Sequence, residues 1–382
     1  MNRIYLDNAA TTAMAPEVID AMSDAMHKTY GNPSSTHQFG RSAKSMIERC
    51  RRNIAKLFNA SPSEIVFTAG GSEADNMILR NAVENLGVKR IVTARIEHHA
   101  VLHTVEVLEE AFDTKIEYVN LTDDGCIDIE HLESLLADSA EKTLVSLMYV
   151  NNEIGNILDV KAVSALCQKY NALFHSDAVQ AIGHYHVDLK ETPIDFVVAS
   201  AHKFHGPKGV GFAYFRKGFG IKPLLTGGSQ ERGARAGTEN VHGIVGMDKA
   251  LELVYTNLDE DIAYVQAIKD YFAQQLQKQI GGVAFNGTAL DTSRNNYSIL
   301  NVRFPVNTSV LLFSLDIQGI ATSGGSACQS GSAKGSHVLN AILSPEEAMK
   351  TSLRFSFSKY NTKEEIDIVM KALKDILAKV SA

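Results

Sequence analysis

Short apolar runs alternate with helical patterns from about residue 64 to residue 214, and this alternation constrains the fold more than any other feature. Each run has the length and composition of a buried strand. The seven runs cover residues 65–67, 90–93, 115–119, 144–149, 173–176, 196–199 and 210–214. Helical patterns lie between most of them, for example at residues 74–84, 100–111, 129–136 and 161–170. The alternation predicts an α/β fold with a mainly parallel seven-stranded sheet covered by helices.

The last of the seven runs differs from the others in its connection. It follows Gly206 and Pro207, a tight turn that leaves no room for a crossover helix. We therefore expect this strand to pair antiparallel with its neighbour.

A second pattern begins near residue 248 and predicts a smaller α+β domain. A long helical pattern runs to Leu276 with a break near Leu258, and strands at 301–304 and 353–356 precede a closing helix at 363–380. We place the large domain at residues 15–255. The small domain takes residues 1–14 and 256–382 and carries a loop at about 323–336.

The composition argues against several classes of partner and site. The chain has 382 residues, a formal net charge of −7 and no sustained Lys/Arg tract, which argues against nucleic acid or an anionic membrane as partner. No apolar run could span a bilayer and the N-terminus is not a signal peptide, so we expect a cytoplasmic location. The cysteines lie far apart without a Cys-x-x-Cys pair, which predicts reduced thiols and no structural zinc. They are Cys50, Cys126, Cys167 and Cys328.

Polar side chains follow four of the predicted strands. His98, Asn152, Asp177 and Lys203 each come shortly after an apolar run, and the last three follow one another at intervals of 25 and 26 residues. One strand-plus-helix unit is of about that length. Because ligands bind beyond the carboxyl ends of parallel strands, we expect these four side chains to converge on one edge of the sheet.

Lys203 is the candidate nucleophile. A lysine held where a buried strand ends is poorly solvated, which favours its neutral amine and allows a Schiff base near neutral pH. The alternative is an ordinary strand-end lysine with its ammonium group in solvent, which Lys203 alone does not exclude.

The turn at Gly70, Gly71 and Ser72 is the candidate phosphate site. Two glycines allow the backbone to approach a ligand, and Ser72 can cap the next helix, whose free N–H groups favour an anion. The same three residues also occur as simple punctuation before a helix, and that alternative stays open.

These candidates together suit pyridoxal 5′-phosphate. Lys203 would carry the aldehyde, and Asp177 would keep the pyridine nitrogen protonated so that the ring withdraws electrons. Gln180 would reach the ring oxygen and His98 would lie over the ring. The alternative for the histidines is zinc, since His99 and His103 have i, i+4 spacing, but the Glu of an H-E-x-x-H pattern is missing.

Six motifs along the chain resemble those of the NifS/IscS-like cysteine desulfurases, which belong to the class V aminotransferase group of fold-type I pyridoxal-phosphate enzymes. The resemblance extends over essentially the whole chain, and its motifs are jointly very specific. They lie at residues 5–12 (YLDNAATT), 31–35 (GNPSS), 151–155 (NNEIG), 177–180 (DAVQ), 202–203 (HK) and 237–240 (GTEN).

The resemblance implies a homodimer with active sites at the subunit interface. Thr238 then matches a phosphate contact to the cofactor of the neighbouring subunit. Asn152 and Arg354 match positions that hold the substrate carboxylate, and a guanidinium fork suits that role independently. The cofactor contacts within one subunit correspond to Gly71, Ser72, Asn152, Ser200 and His202.

Cys328 distinguishes desulfurases from aminotransferases. It lies in a Gly/Ser/Ala-rich stretch at 323–332, which is typical of an exposed loop. In the family this cysteine attacks the sulfur of bound L-cysteine, forms a persulfide and releases alanine. Gln329 stands where the long-loop group usually has threonine, and Gly325 is a further small departure. We expect neither to abolish the reaction.

Partner and rival functions stay open at this point. The resemblance implies a sulfur acceptor, either an iron–sulfur scaffold or a tRNA-thiolation enzyme, and allows Cys328 to act as a transient iron–sulfur ligand with no intrinsic metal. The chain lacks the C-terminal extension that some relatives use towards a scaffold. The alternatives are another enzyme of the same fold, such as an aminotransferase or a selenocysteine lyase, and a non-catalytic sulfur carrier.

Overall fold

The structure is a computed structural model that describes residues 3–138, 141–324 and 335–380. The strands within these ranges are β1 (Ile4–Tyr5), β2 (Ile65–Thr68), β3 (Arg90–Thr93), β4 (Lys115–Tyr118), β5 (Thr143–Ser146), β6 (Leu173–Asp177), β7 (Phe196–Ser200), β8 (Gly211–Phe215), β9 (Ala284–Phe285), β10 (Ile299–Arg303), β11 (Ile320–Ala321) and β12 (Ser352–Ser356). The helices are α1 (Pro16–Lys28), α2 (Gln38–Leu57), α3 (Gly71–Glu84), α4 (His99–Phe112), α5 (Ile129–Ala137), α6 (Val160–Lys169), α7 (Val241–Thr256), α8 (Leu258–Gln279), α9 (Val310–Ile317), α10 (His337–Ile342), α11 (Pro345–Ala348) and α12 (Lys363–Val380).

The large sheet has seven strands in the order β2-β8-β7-β6-β5-β3-β4. Strands β3 to β7 run parallel to one another, whereas β8 pairs antiparallel with both β7 and β2. All seven predicted strands are therefore present, and the antiparallel pairing expected after the Gly206–Pro207 turn is confirmed. The α/β fold class with a mainly parallel seven-stranded sheet is also confirmed.

Both faces of this sheet are covered by apolar helix surfaces, because successive strand residues point to opposite faces. Val145 and Val197 belong to the apolar cluster of one face, together with Met247 of α7. Leu144 and Val198 belong to the cluster of the opposite face, which is built with α3 and α4. Burial on both faces explains why these strands appear in the sequence as continuous apolar runs.

A second apolar core lies around a three-stranded sheet of order β12-β10-β9. Phe272 of α8, Leu300 of β10 and Phe355 of β12 are fully buried in it, and Leu6 joins them from the N-terminus. The predicted strands and the closing helix are present, and Asn257 separates α7 from α8 where a break was expected. The domain limits of 15–255 and of 1–14 with 256–382 stay a prediction. The packing of the N-terminal residue Leu6 in this second core is the observation that bears on them.

The chain between β1 and α1, residues 6–15, connects the two cores. The amide of Ala9 donates to Ser356 Oγ at 2.8 Å in β12, and the amide of Thr12 donates to the His202 carbonyl at 2.9 Å beyond β7. These residues therefore lie across the edge of the large sheet at which β7 ends. Among the described residues no helix is both long and apolar enough to cross a membrane.

Candidate active site

Four parallel neighbours in the sheet, β3, β5, β6 and β7, end at the same edge, and the predicted side chains follow them there. Asp177 is the last residue of β6, and Lys203 ends the single 3-10 turn that follows β7. His98 caps α4 after β3. These residues line one cavity of about 260 Å³. Its other predicted members are Gly71, Ser72, Asn152, Gln180, Ser200, His202 and Arg354.

Lys203 is held by the main chain of the N-terminal segment. Its Nζ donates to the carbonyl oxygen of Ala9 at 2.7 Å and to that of Ala10 at 2.8 Å. Gln180 Nε2 donates to the same Ala9 carbonyl at 2.8 Å. The Lys203 amine is therefore bound by the main chain and not by solvent alone, while its role stays a prediction.

A histidine forms a hydrogen bond with the backbone carbonyl of Lys203. The Lys203 carbonyl lies 3.2 Å from His184 Nε2, and His184 Nδ1 lies 2.8 Å from the Tyr297 hydroxyl. A carbonyl can only accept, so Nε2 carries the proton and Nδ1 accepts from Tyr297. Burial lowers the pKa of His184 to about 4, which keeps the ring neutral and this pattern stable near neutral pH.

Asp177 is a buried carboxyl with two basic side chains near it. It is 6% exposed, and its Oδ1 accepts from the Val179 amide at 2.9 Å. Burial raises the pKa of Asp177, although His98 and Lys203 partly oppose this effect. The carboxylate form therefore needs a further cationic partner at this position.

His98 presents a defined tautomer to the cavity. Its Nδ1 accepts from the Ala100 amide at 3.1 Å, so the proton of the neutral ring is on Nε2. Burial lowers the pKa of His98. The Asp177 charge opposes this effect, and the Lys203 and His337 charges add to it. His98 is thus a neutral hydrogen-bond donor in the resting site.

Gly71, which has no side chain, brings the backbone at the start of α3 to the cavity wall. A Cβ at Gly71 would come within 2.8 Å of Val179 Cγ2, and Gly70 has φ of 151°, a value that favours glycine. The free N–H groups of the first helical turn therefore lie at the cavity wall beside Ser72. This geometry suits an anion.

Arg354 lies at another part of the cavity wall and is 1% exposed. One terminal nitrogen donates to the Asn152 carbonyl at 2.7 Å, and the other lies 2.9 Å from Asp7 Oδ1. The guanidinium fork is thus partly engaged within the protein, which the sequence did not anticipate. Its remaining N–H groups are the ones that a ligand could use.

The aminotransferase class-V family matches residues 4–369 of the chain. A cysteine desulfurase IscS from Dictyoglomus turgidum is 42% identical over 380 residues, which make up 99% of this chain and 95% of that protein. The chain belongs to the cysteine desulfurases of the aminotransferase class-V family. The family resemblance drawn from the motifs is therefore confirmed.

Solved structures of the same family share the fold. A NifS-like protein has a TM-score of 0.91 at 37% identity, covering 99% of this chain and 100% of that one. SspA, solved in complex with cysteine, has a TM-score of 0.80 at 30% identity, covering 94% of this chain and 100% of that one. The NifS-like form of the predicted fold is thus confirmed.

One predicted site residue of this desulfurase family member, Thr238, is not among the residues that line this cavity. Thr238 lines a separate cavity with Arg235 and Glu239. Cys328 lies outside the described residues, as do Gly325 and Gln329. The assigned roles of all site residues stay predictions.

Several cavity residues were not predicted. Ala9 and Ala10 act through main-chain carbonyls, and Asp75, Glu153 and His337 line the cavity from three different segments. The motif at 5–12 signalled that the N-terminus matters, but nothing in the sequence placed it against Lys203.

The zinc alternative concerned the histidines of α4. His99 and His103 stack with ring centroids 4.9 Å apart. Throughout residues 3–138, 141–324 and 335–380, no group of three or more His, Cys, Asp or Glu side chains could hold a metal ion.

Proposed function

We propose that the chain uses pyridoxal 5′-phosphate to remove sulfur from L-cysteine, releasing L-alanine and keeping the sulfur as a persulfide on Cys328. One observation carries this proposal: Lys203, Asp177 and Arg354 line the same cavity. They supply an amine that can bond to an aldehyde, a buried acid that needs a cation, and a cation that binds carboxylates. The cysteine bound in the related SspA structure supports L-cysteine as the substrate.

The residues present fit the cofactor. Burial raises the pKa of Asp177, so its carboxylate requires a cation, which a protonated pyridine nitrogen supplies. The glycine cradle at the start of α3 brings free N–H groups to the wall, where they suit a phosphate. We assign Lys203 to the aldehyde and Gln180 to the ring oxygen. The remaining cofactor contacts are Gly71, Ser72, Asn152, Ser200 and His202, with His98 over the ring.

When bound, the cofactor withdraws electrons from the substrate's α-carbon and makes its proton acidic. We assign two groups of the chain to proton movement there. Lys203 Nζ can accept one, and neutral His98 can donate one from Nε2. Arg354, with Asn152, would orient the substrate through its carboxylate, because the guanidinium is already fixed by Asp7 and cannot rotate freely.

Sulfur removal is a displacement at the substrate sulfur. The Cys328 thiolate attacks this sulfur, forming an S–S bond while the Cβ–S bond of L-cysteine breaks. The electron pair of the broken bond stays on the substrate carbon, which takes up a proton and leaves as L-alanine. The sulfur remains on Cys328 as a persulfide that can pass to an acceptor.

We further propose a homodimer in which Thr238 contacts the cofactor of the partner subunit, in accord with its place outside its own cavity. The acceptor would be an iron–sulfur scaffold or a tRNA-thiolation enzyme in the cytoplasm. Relatives named IscS favour sulfur delivery over transamination.

Replacing Cys328 tests the function. Cys328→Ala should bind the cofactor and L-cysteine normally, as seen by visible absorbance, but release no sulfide in the presence of a thiol reductant. Cys126→Ala is the matched control, because Cys126 is a partly exposed cysteine to which no role is assigned, and burial raises its thiol pKa to about 11. Sulfide release by Cys328→Ala at the wild-type rate would refute the role of Cys328.

The rival functions give other results in the same assays. A selenocysteine lyase would turn over selenocysteine but not L-cysteine, and an aminotransferase would convert a 2-oxo acid without sulfide. A non-catalytic carrier would keep no visible absorbance after it is mixed with pyridoxal 5′-phosphate and the free cofactor is removed.

A further inference from the structure

Asp75 of α3 and His175 of β6 form a buried contact that the proposed reaction does not use. Asp75 Oδ1 lies 3.4 Å from His175 Nε2, and the two side chains are 1% and 0% exposed. Neither atom makes a hydrogen bond with any described residue as the structure stands. A single proton between them would satisfy both atoms, and an unsatisfied buried polar pair would be costly.

The surroundings of Asp75 and His175 also favour a shared proton. His175 Nδ1 lies 2.9 Å from Ser146 Oγ at the end of β5, so both ring nitrogens have a polar neighbour. His175 and Asp177 are two residues apart on β6, and their side chains share one face of the strand. Asp75 lines the cavity together with Asp177.

The charges around Asp75 determine where the proton resides. Burial raises the pKa of Asp75 well above its usual range, and the charges of Asp177 and Glu97 raise it further. Burial also lowers the pKa of His175 to about 3. The neutral pair, in which Asp75 is the donor and His175 the acceptor, is therefore favoured over an ion pair.

We propose that Asp75 is a positioning residue that stays protonated, donates to His175, and leaves Asp177 as the carboxylate that would pair with the pyridine nitrogen. The inference rests on the proposed function in one respect, the pairing of Asp177 with the pyridine nitrogen. A charged Asp75 would place a second carboxylate beside Asp177, and the pair would then compete for one cation.

The same contact fixes the spacing between two parts of the site. Asp75 is on α3, the helix that begins with Gly71 and Ser72, and His175 is on the strand that ends with Asp177. The link therefore ties the proposed phosphate contacts to the proposed ring-nitrogen contact. Breaking it should loosen the hold on both ends of the cofactor at once.

Infrared spectroscopy of the full-length protein as isolated tests the protonation directly. Labelling the aspartate side-chain carboxyls with ¹³C separates them from glutamate, which matters because burial also raises the pKa of Glu97. The labelled wild-type protein should show a protonated aspartate band at neutral pH, and Asp75→Asn should lose it. Absence of that band from the wild type would overturn the proposal without any variant.

The cofactor dissociation rate tests the positioning role. Asp75→Ala leaves His175 Nε2 without a donor and should release the cofactor about ten-fold faster. Asp75→Asn supplies a neutral N–H donor of the same size and should restore the rate to within about three-fold of wild type. An asparagine variant as defective as the alanine one would show that Asp75 acts as an anion and would overturn the proposal. The infrared band does not depend on cofactor or turnover, so a failure of the proposed function is distinguishable.

Discussion

Replacing Glu231 by glutamine should destabilise this protein far more than an ordinary ion-pair substitution. Glu231 receives two hydrogen bonds from Arg51, at 2.7 and 2.8 Å, and the two side chains are each 3% exposed. Its Oε2 also accepts from the Phe67 amide at 2.9 Å. Burial disfavours the Arg51 cation, yet the hydrogen bonds and charge of Glu231 outweigh this and raise the pKa of Arg51.

The magnitude follows from what glutamine leaves behind. Its amide group would turn an N–H towards one Arg51 nitrogen. The buried guanidinium would then keep only the Glu48 carboxylate, which is 30% exposed and 3.0 Å away, so the cost should approach about 3–5 kcal/mol. Glu231 and Arg232 also have φ of 47° and 58°, left-handed values that cost non-glycine residues energy and that the ion pair helps to maintain. The strained turn leads directly to Thr238, so this variant should also weaken cofactor retention.

Urea unfolding, followed by circular dichroism at fixed protein and cofactor concentrations, measures the loss. Glu191→Gln is the matched control, because Glu191 pairs with Lys161 at 2.8 Å but the side chains are 66% and 71% exposed. Solvent screens that pair, so its loss should change the stability little. If the free energies of unfolding of the two variants differ by less than about 1 kcal/mol, the buried pair between Arg51 and Glu231 does not stabilise the protein more than an exposed one.

Three further predictions concern the site. Asp177→Asn should keep the fold but slow the exchange of the substrate α-proton with deuterated solvent about 100-fold, because asparagine cannot hold a pyridine nitrogen protonated. An unchanged exchange rate would exclude this role of Asp177. Tyr297→Phe should lower kcat more than it raises KM, since it frees His184 behind Lys203, and a pure change in KM would contradict this. The folded His184 binds its proton only near pH 4, whereas the unfolded residue binds one near 6.5. The unfolded state binds more protons in that window, so the free energy of unfolding falls on acidification by up to about 3 kcal/mol, and His184→Gln should reduce the slope in urea titrations.

The fold was predictable because a strand that is buried on both faces of the sheet needs apolar residues at every position. Each central strand therefore appears in the sequence as an unbroken apolar run. The runs at 144–149 and 196–199 correspond to β5 and β7, and tight sequence spacing sufficed to place Asp177 and Lys203 at one edge. The two-residue strands β1 and β11 had no such signature, because their pairing depends on a contact between residues more than three hundred positions apart.

The site was only partly predictable, for a related reason. A side chain at a strand end can be placed by its position along the strand, as His98 and Asn152 were. The partner of Arg354 could not be predicted in this way, because Asp7 is 347 positions away in the sequence and no local pattern indicates that the two residues pair. The contact between Asp75 and His175 was missed because a helix residue and a strand residue meet only once α3 packs on the sheet.

The carbonyls of Ala9 and Ala10 that receive the Lys203 amine have a consequence for mutagenesis. An alanine scan leaves both positions as they are, and most side-chain substitutions there would preserve the carbonyl oxygens. A contribution made by the main chain is thus invisible to the usual search for important residues. Replacing a peptide bond of this segment by an ester, which weakens the carbonyl as an acceptor, is the kind of chemistry that would reveal it.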